Sequence, residues 1–543
     1  MTRSNFIRFT LLISLIIAAT AQLATARSTT DQETIYSVVI SGGTVYDGLG
    51  TDGVRTDVGI LGNRIAAIGD LSAARAARRI DATGLAVVPG FIDIHSHATS
   101  GSPESSGIVQ RPLAENYVRQ GVTTALGGQD GSSPIQIGEF LAYMDALPSA
   151  INVGLFVGHG SIRGRVMGQE DRAPTVSELA DMVSLVERAM LDGAFGLSSG
   201  LEYTPGSYAN LDELIVLAGP LATHNGLYIS HIRDEGARVL ESISEVIRVG
   251  EEAGIAAQVT HHKVIGKARW GGTVATLKLI EEARARGVDV TIDQYPYTAS
   301  STGMTILFPG WAKAGGTSEL LERLKDPETR NRIRSDVIAH IVEERGADPS
   351  TIVAARCPNN SAMDGLSLAD ILERDRKSIT VEGAADVAIL LVETGGCSGI
   401  FHSMSEGDVR RVMIHPTTMI SSDGGIPALG TGVPHPRNYG AFARVLRYYV
   451  REEGVLTFQQ AIQKMTSLPA DRLGLKERGR LEPGVIADVV VLDSEAISDH
   501  AVFGDPHQYA TGVGYVFVSG RAVLWEGEPT GVRPGKALRH RIE

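Results

Sequence analysis

Residues 91–100 read FIDIHSHATS, an apolar run that ends in two histidines one residue apart. Alternate side chains of an extended chain share a face. His95 and His97 therefore project from one side and offer two imidazole nitrogens to a divalent ion. HxH pairs also occur on ordinary strands, so the reading turns on whether further ligands converge on the same place.

The pair opens a long middle region in which helical and strand patterns alternate. Over 173–193, APTVSELADMVSLVERAMLDG, the residues Leu179, Met182, Val183, Val186 and Met190 recur at helical spacing. Thr175 and Glu178 have capping-box spacing, and Gly193 suits the stop. The strand-like AFGLSSG follows. RVLESISEVIRVGEEAG then precedes IAAQVTHH, and VATLKLIEEARARG precedes VDVTIDQYPY. This repeated order of helix, glycine, strand and polar residues predicts an α/β fold with a parallel sheet. His97, Asp130, His231, His261 and Asp423 each fall just past an apolar, strand-like run. A (β/α)8 TIM-like barrel would gather them at its C-terminal mouth. An open doubly wound sheet also carries sites at its strand ends, but no glycine-rich phosphate fingerprint follows the first strand, and the barrel is the better match.

Both chain ends have a different texture. Residues 36–88 and 478–530 hold short apolar runs bounded by Gly, Asp and Asn, which predict strands that combine into one small β-sandwich and leave 89–477 for the barrel. Residues 1–26 have the build of a secretory signal peptide: Arg3 and Arg8, the apolar FTLLISLIIAATAQL, then small residues ending at Ala26. The apolar run falls short of the ~20 residues that a spanning helix needs. Export to the periplasm or the medium is expected, with no stable membrane insertion after cleavage. Losing Arg3 and Arg8 takes the net charge from −13 to −15, a balance that offers nucleic acid no footing. Cys357 and Cys397 are the only cysteines. Their spacing does not establish a pair, and with no CxxC or thiolate cluster the simpler expectation is two separate core thiols.

Histidine is scarce, 14 in 543 residues, yet it recurs at predicted strand ends. LYISHIRDEG brings His231, AQVTHHKVIG brings His261 and His262, and TMISSDGGIP brings Asp423. The strand pattern leaves open which of His261 and His262 faces a metal.

PGFIDIHSH, GVTTALGG, YISHIRDEG, THHK, DQYPYTASST, SSDGG, HPRNYGAF and LEPGVIADVVVLD, in this order, resemble the N-acyl-D-amino-acid deacylase (D-aminoacylase) branch of the metal-dependent amidohydrolases. The resemblance runs from about residue 38 to about residue 525. It implies a (β/α)8 barrel, a small β-sandwich and a centre of one or two Zn2+ ions at the mouth, another divalent metal being an alternative. It further implies His95, His97, His231 and His261 as ligands, the spacing to Lys263 favouring His261, and Asp423 as proton shuttle. Lys263, Tyr295, Ser301 and Arg437 would form the pocket for the substrate carboxylate, and residues 302–400 a lid over the mouth. One position departs. Where the family often carries a cysteine ligand in a GNCG-like turn, this chain has GGQDG, which aligns Asp130 with the cysteine. A carboxylate also binds zinc and can bridge two ions, so Asp130 is expected as a ligand, with harder chemistry than a thiolate.

The implied activity is hydrolysis of N-acyl-D-amino acids to a carboxylate and a D-amino acid, with no covalent enzyme intermediate. Other readings are a dipeptidase for peptides ending in a D-residue, a cyclic-amide hydrolase, for which no carboxylated lysine stands on the matching strand, and a barrel retained as a non-catalytic scaffold. Preference for the D configuration is what the resemblance implies.

Overall fold

Eight short apolar runs form parallel strands that close on themselves: β1 (Phe91–Asp93), β2 (Val122–Gly127), β3 (Asn152–Leu155, continued by Val157–Gly158), β4 (Gly196–Gly200), β5 (Leu227–His231), β6 (Ala256–Val259), β7 (Val290–Gln294) and β8 (Thr418–Ile420). The computed structural model describes residues 34–540, and the signal peptide expected at 1–26 lies outside the described residues. β3 is interrupted at Phe156, whose N–H donates to the Gly127 carbonyl at 2.9 Å. The part before it pairs with β2 and the part after it with β4. The ring shuts between the ends of β1 and β8, where Ser96 bridges Gly424 in parallel. There His97 N–H donates to Gly424 at 2.6 Å and Asp423 N–H to His95 at 2.9 Å.

Ile92, Leu126, Phe156, Ile229 and Met419 form one apolar cluster. They come from β1, β2, β3, β5 and β8, and residues of opposite strands can touch only through the interior of a barrel. Outside the ring, helices Val176–Leu191, Leu211–His224, Val239–Ala253 and Thr273–Ala285 alternate with the strands and pack side by side in chain order. The first begins with the expected capping box at Thr175 and Glu178. Its Met182, Val186 and Met190 are buried, with Leu179 and Val183 half-buried beside them. No helix among the described residues is long and apolar enough to cross a membrane.

The two chain ends meet in one nine-stranded sheet. Five strands between Tyr36 and Pro89 join four between Val489 and Pro529, and the seam is the antiparallel pairing of Ala86–Pro89 with Val489–Leu492. Ile40, Ile60 and Val87 from one end share a core with Val489, Val491 and Phe517 from the other.

Between β7 and β8 the chain leaves the barrel as a lobe. Three antiparallel strands, Ala299–Gly303, Ser398–His402 and Ile352–Arg356, pack with helices Pro327–Arg345, Leu368–Arg374 and Val381–Glu393 around an apolar core of the lobe's own. The expectation of two separate thiols is corrected here. Arg356 pairs with Ser398 across the strands, which sets the neighbouring Cys357 and Cys397 with Cα atoms 4.3 Å apart, and they form a disulfide. This bond spans 40 residues of the lobe. Replacing both cysteines by serine is expected to weaken the lobe by about 2–4 kcal/mol. Thermal unfolding should show a lower transition for the double variant, and an unchanged curve would remove the bond from the stability of the protein.

Candidate metal centre

Each predicted ligand stands at or just beyond the C-terminal end of its strand. The β1 ladder stops at Asp93, so His95 and His97 lie in the segment after it rather than on regular strand. Their rings still turn to the same side, 5.7 Å apart. Asp130 follows β2, His231 closes β5, His261 follows β6 and Asp423 follows β8. Asp130, His261 and Asp423 all have left-handed backbones, with φ of 52°, 33° and 50°. Such a conformation costs a non-glycine residue about 1–3 kcal/mol and tends to persist where a site needs the side chain aimed.

The side chains form two groups that share one carboxylate. In the first, His97 Nε2 lies 3.0 Å from Asp423 Oδ1 and 3.3 Å from Asp130 Oδ2, and His95 Nε2 lies 3.5 Å from Asp130 Oδ1 and 3.6 Å from Asp423 Oδ1. In the second, Asp130 Oδ1 lies 3.4 Å from His261 Nε2 and 3.9 Å from His231 Nδ1, and the two ring nitrogens face each other at 2.8 Å. Within each group the ligand atoms all lie within 4.8 Å of one another. His262 is not part of either: its Nε2 meets Thr276 Oγ1 at 2.8 Å, and burial pushes its pKa down to about 4.

These residues fit a divalent ion on their own geometry. Both His95 ring nitrogens, Asp130 Oδ1 and Asp423 Oδ1 are buried without a hydrogen-bond partner, and buried polar atoms are ordinarily satisfied. Of these, His95 Nε2, Asp130 Oδ1 and Asp423 Oδ1 belong to the two groups. The donors are nitrogen and oxygen only, which suits zinc and harder divalent ions alike. Solvent reaches the site past His97, whose side chain is 31% exposed.

Residues not read from the sequence orient the ligands. Asp293 Oδ1 accepts from His261 N–H and Ser421 Oγ, both at 2.9 Å, and lies 3.5 Å from His95 Nδ1. Glu202 Oε2 meets His231 Nε2 at 2.8 Å. Glu235 Oε1 lies 3.2 Å from His261 Nδ1. Asp93 accepts from Ser422 and from His95 N–H, and burial pushes its carboxyl up to about 7. Asp293 and Glu235 sit inside DQYPYTASST and SHIRDEG, so their position in quoted motifs is the signal that could have found them; Glu202, two residues past β4, carries only its strand-end position.

The four predicted substrate residues also come together. Lys263 Nζ lies 5.5 Å above the Tyr295 ring, Arg437 Cζ lies 5.0 Å from it, and Arg437 Nη2 donates to the Ser301 carbonyl at 3.2 Å. Burial pushes the Tyr295 hydroxyl up to about 12, so it stays protonated, and it has no partner. Both cations are already paired. Lys263 donates to Glu235 at 2.6 Å, and Arg437 Nη1 donates to Asp423 Oδ2 at 2.7 Å despite the long segment between them. Burial alone would raise the Asp423 carboxyl; Arg437 and His95 outweigh it and hold it below the usual carboxylate range.

A closed parallel barrel with imidazole and carboxylate groups converging at its C-terminal mouth defines a hydrolase of the metal-assisted class. Residues 78–524 match the family model described as "Amidohydrolase family", and the chain belongs to that family. It is 35% identical over 526 residues to D-aminoacylase of Alcaligenes xylosoxydans xylosoxydans, covering 93% of this chain and 97% of that protein. It is 36% identical over 524 residues to N-acyl-D-glutamate deacylase of the same organism, covering 92% and 96%. Among solved structures it resembles N-acyl-D-glutamate deacylase from Bordetella bronchiseptica, complexed with zinc and a phosphonate mimic of the tetrahedral intermediate, with TM-score 0.79, 33% identity and coverage of 93% and 100%.

An ion held by these groups stabilises the folded chain through mass action, by about 2.7 kcal/mol at ~100 times its Kd. Thermal melts of chelated protein should therefore rise as Zn2+ is added back. The rise should shrink in Asp130→Asn, which keeps the shape of the shared side chain and removes its charge. An equal rise in that variant would exclude Asp130 from the centre.

Proposed function

We propose that this protein hydrolyses the amide bond of N-acyl-D-amino acids, releasing a carboxylate and a D-amino acid, with one or two zinc ions held by His95, His97, Asp130, His231 and His261 and with Asp423 as proton shuttle. The observation that carries the reading is the shared Asp130 carboxylate, flanked on both sides by imidazoles and facing Asp423. The relatives named above supply the substrate class.

A divalent ion bound there would polarise the scissile carbonyl and make water acidic enough to be deprotonated near neutral pH. Asp423 moves the proton. Arg437 occupies its Oδ2, which leaves Oδ1 free and turned toward the ligand cluster. Oδ1 accepts the proton of the attacking water, and the same oxygen gives it to the amide nitrogen as the C–N bond breaks, because an amide anion is too poor a leaving group to depart unprotonated. The resting pair with Arg437 keeps Asp423 ionised and ready to accept.

Lys263, Tyr295, Ser301 and Arg437 take the substrate carboxylate in this reading. The Tyr295 hydroxyl is a buried donor with no competing partner. The cations act from their ion pairs with Glu235 and Asp423, so binding of a carboxylate competes with those pairs. The lobe of residues 302–400 serves as the lid: its core extends to Tyr203, whose ring lies 4.6 Å from that of His231, and a cover there would keep bulk water from the reaction. Export through residues 1–26 belongs to the same reading and is supported by the Cys357–Cys397 disulfide, a bond that persists in oxidising compartments.

Matched N-acetyl-D- and N-acetyl-L-amino acids, assayed for free amine with zinc-loaded protein, test the reading. Cleavage confined to the D series is expected, and cleavage of neither series would overturn it. Asp423→Asn should lower kcat by about 10²–10⁴ with the fold retained, and near-normal turnover would remove the proton-transfer role.

A further inference from the structure

We propose that Glu202 is a positioning residue that fixes the His231 ring so that Nδ1 is bare toward the Asp130–His231–His261 group, an inference that rests on the metal-centre reading above. Leu201 N–H donates to the His231 carbonyl at 3.0 Å, so the end of β4 is tied to the end of β5 and residue 202 emerges beside the His231 ring. Glu202 Oε2 lies 2.8 Å from Nε2, while Nδ1 faces His261 Nε2 and Asp130 Oδ1. A neutral imidazole carries one proton, and the nitrogen that binds an ion must be without it. A carboxylate can only accept, so Glu202 holds the proton on Nε2 and leaves the Nδ1 lone pair aimed at the ion. Tyr203 packs its ring against that of His231 and limits its rotation.

The neighbouring histidine has no such dedicated acceptor. His261 Nδ1 faces the Lys263 ammonium at 2.7 Å, with Glu235 at 3.2 Å and already bound to that lysine. Control of the ring proton in this group therefore falls to Glu202. Glu202, His231 and Glu235 also cluster closely enough to suggest a third ion. Two facts oppose that. His231 would have to lose both ring protons to bind ions on two sides, and Glu235 Oε1 is committed to Lys263 at 2.6 Å.

Without Glu202 the ring proton is free to sit on Nδ1, in the path of the ion. The test titrates Co2+ into metal-free wild type, Glu202→Ala, Glu202→Gln and His231→Ala, following the visible Co2+ absorption and the bound-metal stoichiometry. His231→Ala marks the binding step that belongs to this group. Glu202→Ala is expected to weaken that same step about 10–100-fold and leave the other unchanged. Glu202→Gln, which keeps an accepting oxygen, should recover part of the loss. Thermal melts of the metal-free variants should coincide with wild type, since the role lies in aiming a ligand. Equal Co2+ affinity in wild type and Glu202→Ala overturns the inference while the centre stands. Absence of Co2+ binding in wild type overturns the centre and this inference with it.

Discussion

One carboxylate holds the mouth of the barrel together. Asp130 turns Oδ2 toward His97 and Oδ1 toward His95, His231 and His261, so side chains from three other strand ends meet on its single pair of oxygens. Around it lie Glu235, Asp293 and Asp423, all nearly inaccessible to solvent. So much negative charge in a poorly hydrated space is costly unless compensated. Arg437 and Lys263 answer two of the carboxylates. The remainder is matched by the positive charge that the nitrogen and oxygen donors are arranged to accept. The left-handed backbones at Asp130, His261 and Asp423 are a further cost that this convergence accounts for.

The closure of the barrel and the assembly of the site are the same event. The last hydrogen bonds of the ring run from Asp423 to His95 and from His97 to Gly424, so the backbone of the HxH segment and that of the aspartate loop are each other's final partners. The Asp423 carboxylate is thereby delivered to the histidines by main-chain pairing, and Arg437 then fixes its rotation from the first turn of the helix that follows.

Much of this was legible in the sequence because barrel chemistry is written at strand ends. The alternation of helix and strand, and the placement of His97, Asp130, His231, His261 and Asp423 after apolar runs, need only local pattern to be seen. What was not legible depends on pairings between distant segments. The disulfide follows from the register of two lobe strands, which no local pattern reports. Glu202 reaches His231 because β4 and β5 are neighbours, and Glu235 reaches Lys263 across 28 residues. The ion pairs of Lys263 and Arg437 were hidden for the same reason. A cation near a site looks alike in sequence whether it awaits a ligand or already holds a carboxylate.

The lobe leaves and rejoins the rest of the chain at almost one point. Ala299 pairs with His402 and Gly303 with Ser398, so roughly a hundred residues hang from two adjacent antiparallel strands. Closing such an excursion costs entropy that grows only slowly with its length, and the lobe carries its own core. In chain connectivity the excursion therefore counts as a short hairpin. An appendage joined in this way can be lengthened, shortened or exchanged over evolutionary time without shifting the register of β7 or β8. The barrel is free to stay constant while the lobe is rebuilt.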